Sequence, residues 1–208
     1  MATTDALPGP HLDQETERID QLAREVLRES YSTYDVEKLE LTEDASGVNV
    51  KVVLRRARVS GDGASNSVEV SGRGVGLVDA FYDGIMGAWA NEFASLRTIS
   101  LADFVISAGF DDAKGRKSDA LAVATIKVKN AHGVTCSFER KTPSVTRSCL
   151  LVALDAVTFF VNAERAYVQL QLAMKDATER RRSDLVDRYR QQMGTIVQAT
   201  SYAELPRR

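Results

Sequence analysis

The chain has 208 residues, a mass of 22.8 kDa, 44% hydrophobic and 27% charged residues, and a net charge of -2. That is the composition of one ordinary globular domain or two small ones, long enough to bury a core without a disulfide staple. With 27 basic against 29 acidic residues, the balance argues against a nucleic-acid binder that works by bulk charge.

Residues 1–10 end on Pro8-Gly9-Pro10 and read as a disordered lead-in without the apolar core of a secretory signal. Ile19, Leu22, Val26 and Leu27 then recur at helical spacing and predict an amphipathic helix from about Leu12 to Ser30. The period changes at Leu39 and Leu41. After a turn at Glu43–Gly47, Val48, Val50, Val52 and Leu54 alternate as a half-buried strand. A second turn is predicted at Ser60–Gly63 and a third strand around Val68 and Val70. Gly72, Gly74 and Gly76 lead into a helix with the apolar stripe Val78, Phe81, Ile85, Trp89 and Phe93. Within it, Gly84 and Gly87 would let the helix lie close against a sheet.

The order then starts again. Ile99, Leu101, Phe104 and Ile106 predict a strand, and a polar loop at Gly109–Gly115 carries Asp111, Asp112 and Lys114. Ala122, Ala124, Ile126 and Val128 alternate, Asn130-Ala131-His132-Gly133 turns the chain, and Val134, Cys136 and Phe138 return it. Pro143 suits a first helical turn, with Thr142 or Ser144 as cap. The stripe Cys149, Val152, Ala156 and Phe160 repeats that of Val78, Phe81, Ile85 and Trp89 at a displacement of 71 residues. The expected fold is therefore α+β: two β-β-β-α repeats, residues 34–96 and 98–170, forming a module over 34–174. An N-terminal helix (11–33) and a charged C-terminal helix and tail (175–208) flank it. Arg180-Arg181-Arg182 reads as a solvated face balanced by Asp176, Glu179, Asp184 and Asp187.

Candidate chemistry is sparse. Gly72-Arg73-Gly74-Val75-Gly76 stands between strand and helix, where backbone N–H groups can cradle an anion, but it has neither dinucleotide-fingerprint nor P-loop spacing. A tight turn needing positive φ would account for two of its three glycines. Asp79 suits the positive end of the helix, or the ammonium of an amino-acid ligand. Cys136 and Cys149 read as a reduced, buried pair, and with only His11 and His132 beside them no zinc spacing exists. No nucleophile–base–orienter set can be assembled, so no catalytic residue, metal or cofactor is expected. The most apolar stretch, Cys149–Ala163, is interrupted by Asp155 and too short to span a bilayer, which predicts a cytoplasmic protein without a membrane segment.

Gly74-Val75-Gly76-Leu77-Val78-Asp79-Ala80-Phe81 resembles the glycine-rich entry, G-x-G-P-V-D-A, of the C-terminal allosteric and dimerisation domain of 2-isopropylmalate synthase, shared with citramalate synthase. Ser100–Ile106, Asp119–Val123 and the helix from Ser144 look like the family's later elements, so that the resemblance covers roughly Val36 to Leu170. It implies a free-standing, non-catalytic regulatory module that forms a homodimer and acts on a partner enzyme. Leucine or isoleucine is the implied ligand, with Gly74, Gly76, Asp79, Thr142 and Ser144 as the site. The family's proline is Leu77 here, its polar residue between the glycines is Val75, and the second helix entry is the basic Arg140–Arg147. Those departures leave open a second expectation, a dimeric scaffold that keeps the fold without the ligand.

Overall fold

The computed structural model describes residues 10–57, 67–109 and 121–200. Most of the lead-in, the turn at Ser60–Gly63 and the loop with Asp111, Asp112 and Lys114 lie outside the described residues. The chain is mixed α+β and runs β1 (His11–Leu12), α1 (Gln14–Leu27), β2 (Thr33–Asp44), β3 (Gly47–Ala57), β4 (Ser67–Gly74), α2 (Leu77–Trp89), β5 (Ser100–Gly109), β6 (Leu121–Lys129), β7 (Thr135–Thr142), α3 (Val145–Glu179) and α4 (Ser183–Thr200). Short 3-10 turns follow α1 and α2, at Arg28–Ser30 and Ala94–Thr98.

Two antiparallel sheets carry the expected duplication. One has the order β2-β3-β4, the other β1-β7-β6-β5, and a helix follows each three-strand meander. The alternation read from sequence sets the buried face of each: Val48, Val50, Val52 and Leu54 in the first sheet, Ala122, Ala124, Ile126 and Val128 in the second. Gly47, at φ 127, and Gly133, at φ 82, hold the left-handed positions of two hairpin turns. The Asn130 carboxamide oxygen accepts from His132 N and Val134 N, closing the second hairpin.

Several expectations change. Leu12 belongs to a two-residue strand on β7 rather than to the first helix, because Asp13 caps that helix. Its carboxylate accepts from Thr16 N at 2.9 Å through one oxygen and from Ser137 N of β7 at 3.0 Å through the other. Registered on their caps, Gly76 and Ser144, the two units are offset by 68 positions rather than 71. Residues three apart share a helix face, so apolar periodicity alone cannot choose between those registers. The boundary at 174/175 falls inside α3, and α4 docks back on it, with Ile196 fully buried and Asn130 Nδ2 donating to the Gln198 carbonyl.

α3 is the centre of the molecule. It packs on β6, β7, β2, α1, α2 and α4, which explains why Ser148–Glu164 is buried almost all the way round. The helix is long and apolar enough to cross a membrane, and 78% of its most apolar window is buried within the protein. Two polar side chains tie it to the first unit. Asn162 Oδ1 accepts from Ser32 N at 3.0 Å and its Nδ2 donates to the Ser32 carbonyl at 2.8 Å. Glu164 accepts from Ala94 N and Ser95 N at 3.2 and 2.8 Å. Cys136 and Cys149 are free and buried, and burial pushes the Cys136 thiol up to about 11.

Candidate functional site

The first helix start owes its glycines to packing rather than to turn geometry. Neither Gly74 nor Gly76 has a positive φ, and Gly76 is extended at φ -155. A Cβ on Gly72 would lie 2.0 Å from the Ala80 carbonyl oxygen, and one on Gly74 would lie 2.5 Å from Ala80 N. A Cβ on Gly84 would lie 2.8 Å from Val70 Cγ1 and 3.0 Å from the Ser71 carbonyl, whereas Gly87 meets open space. The run lets α2 lie directly on β4. Nothing in the structure requires a glycine at 76. Asp79 accepts from Val75 N at 3.0 Å, closing its own helix start.

At the second start the polar atoms are likewise engaged locally. Ser144 is the cap, accepting from Arg147 N at 3.2 Å. Thr142 is buried; its hydroxyl accepts from Ser144 N at 3.1 Å and lies 2.9 Å from the Ser148 hydroxyl, which donates to the Ala122 carbonyl. The basic entry has a structural use. Arg147 reaches across to Asp35 of β2 at 3.0 Å, and Arg140 forms a two-toothed pair with Asp155 of α3.

A second constellation, unforeseen from the sequence, lies where α1, the start of β2, β7 and α3 meet. Arg140 and Asp155 form one wall; Asp20, Arg24 and Tyr31 form the other. Arg24 Nε donates to Asp20 at 2.7 Å, its guanidinium stands 4.1 Å over the Tyr31 ring, and the Tyr31 hydroxyl donates to the other Asp20 oxygen. Burial pushes the Asp155 carboxyl up against the opposing pull of Arg140, and the Asp20 charge pushes the same way. Burial, helped by Asp20, also raises the Tyr31 phenol. The cavity they line has a volume of about 70 Å³, with Leu12, Phe138 and Phe159 as apolar lining.

A third feature is a surface. β5 forms one edge of its sheet, and its Leu101, Val105 and Ile106 are 40%, 50% and 45% exposed. Phe104 and Ile106 pair with Ile126 and Ala124, which are buried, so the core-facing row of β6 continues onto β5, where Phe104 packs partly buried against the core and Ile106 is left exposed among the described residues.

Among the described residues no group of three His, Cys, Asp or Glu side chains is placed to hold a metal. No known protein family and no characterised protein matches the chain.

Proposed function

We propose that this chain is a non-catalytic regulatory and dimerisation module, of the kind that its likeness to the 2-isopropylmalate synthase allosteric domain implies, acting on a partner enzyme in the cytoplasm. The observation that carries the reading is β5. Natural sheet edges are guarded by lysine, proline or bulges that turn the edge away. β5 is ten residues long with no lysine or proline; its one register irregularity, between Leu101 and Asp103, lies near its start and leaves Asp103–Gly109 in regular pairing, and its one charge, Asp103, is paired with Lys127 of the neighbouring strand at 3.3 Å. In this reading β5 pairs antiparallel with β5 of a second copy about a two-fold axis, an isologous contact that brings the two apolar rows together.

Light scattering on the purified chain tests it. The wild type is expected to have the mass of a dimer. The double variant Val105→Lys, Ile106→Lys is expected to be monomeric with an unchanged circular dichroism spectrum. A monomeric wild type, or a dimer unaffected by the two lysines, overturns the reading.

The scaffold alternative is favoured by a different observation, the local engagement of Asp79, Thr142 and Ser144. It predicts a dimer with no thermal shift in leucine or isoleucine, together with a partner recovered from the native extract.

A further inference from the structure

We propose that Arg56, at the end of β3, and Arg165, on α3, together bind the phosphate of a small phosphate ester, whose apolar body lies in the open groove along α3. The proposal goes beyond the regulatory reading and does not rest on it.

The two arginines converge on one oxygen. Arg56 Nη2 donates to Ser32 Oγ at 2.8 Å, and Arg165 Nη1 donates to the same oxygen at 2.5 Å. Arg56 Nη2 also reaches the Ser30 carbonyl, at 3.4 Å. A hydroxyl offers two acceptor lone pairs but no charge, so it seats both guanidinium groups without balancing either. Arg24, Arg140 and Arg147 each hold an aspartate; among the described residues Arg56 and Arg165, both half-buried, hold no carboxylate. Burial, and then the charge of Arg56, push the Arg165 guanidinium down, against the opposite pull of Tyr34 and Glu92. Two like charges partly withdrawn from water repel each other, and a dianion shared between them offsets both. Guanidinium forks fit phosphate oxygens in particular.

The seat is held in place from behind. Ser32 is buried, and its N–H and carbonyl are both bonded by Asn162 of α3, so the donors are positioned before any ligand arrives. The groove is the independent sign. Arg165 also lines an open groove of about 530 Å³ between the end of α1, the chain after α2, and α3. Its apolar wall includes Phe93, Val168 and Leu172, the last 65% exposed. Glu92 and Glu164 line it as well; Glu164 accepts from Ala94 N and Ser95 N, and Glu92 is exposed. Carboxylates along the groove select against a ligand with an anion at both ends and favour one charged only at its phosphate.

Calorimetric titration of the full chain with inorganic phosphate, phenyl phosphate and benzoate tests this, at fixed ionic strength and about pH 8, where a phosphate monoester is a dianion. Inorganic phosphate is expected to bind saturably with a Kd of about 1 mM, phenyl phosphate about tenfold more tightly, and benzoate about tenfold more weakly than phenyl phosphate. Arg56→Gln and Arg165→Gln are each expected to weaken phenyl phosphate binding about tenfold with unchanged circular dichroism. Arg55→Gln, at the exposed neighbouring position of β3, should leave it unchanged. Leu172→Ser should weaken phenyl phosphate and leave inorganic phosphate as it was. The proposal is overturned if neither phosphate binds at about 10 mM, if benzoate binds as well as phenyl phosphate, if Arg55→Gln costs as much as the other two, or if both of those bind as the wild type does. Phenyl phosphate binding that ignores Leu172→Ser overturns the groove as the place of the apolar body.

Discussion

The two β-β-β-α units repeat an order of elements, yet they treat their first strand and their helix in opposite ways. In the first unit α2 lies flat on β4 through Gly72, Gly74 and Gly84, and the start of β2 is covered by α3, with Val36 buried and Asp35 held by Arg147. In the second unit, the positions matching Gly72 and Gly74 by their distance from the helix cap are Arg140 and Thr142. Both use their side chains, one to pair Asp155 and the other to hold Ser144 and Ser148. There the helix is buried almost all the way round over Ser148–Glu164, and the first strand, β5, is left mostly exposed among the described residues. A duplicated unit thus serves once as a closed layer and once as the centre of the molecule with an open edge.

That contrast can be broken at its glycines. Gly72→Ala places a Cβ 2.0 Å from a backbone oxygen of α2, where no side chain can give way. We expect a loss of about 3 kcal/mol or more, read as a fall in the urea midpoint at unchanged slope. A change below about 0.5 kcal/mol would mean that α2 does not lie on β4 in solution.

The joint between the units is the next test. Asn162→Leu leaves the Ser32 N–H and carbonyl buried without partners. We expect a loss of about 2 kcal/mol, from the desolvation of two backbone groups partly offset by apolar packing. Faster amide exchange at the start of β2 than in β6 would localise the effect to the first unit. An unchanged exchange pattern would refute the role of this joint.

The smallest expected effect has the opposite sign. Gly87 sits in the same helix as Gly84 but meets nothing within 4 Å, so Gly87→Ala should stabilise the protein by about 0.5–1 kcal/mol through helix propensity alone. A loss of stability on thermal melting would show that this face of α2 is covered by something else, a second copy included.

Much of the local structure was legible in the residues. Period-two alternation at Val48–Leu54 and Ala122–Val128 placed the strands on their buried faces, and Asn130–Gly133 marked its turn. The glycine run was legible as a feature but not in its cause, since turn geometry and close packing select the same residue. The cavity had two faint signals: Asp20 and Arg24 at helical spacing, and Asp155 interrupting an apolar stretch. What joins them is the folding of α1 onto α3 and β7, contacts between residues more than a hundred positions apart.

The sequence by itself determined which segments are helix or strand, where most of them turn, and that a unit of three strands and a helix occurs twice, because those properties depend on neighbours within a few residues. Only the tertiary structure decided that α3 rather than α2 becomes the core, that Arg140 and Asp155 meet beside Asp20 and Arg24, and that β5 is left uncovered. Burial is a property of the packed whole. A helix face or a sheet edge reads the same in sequence whether or not another element comes to lie against it.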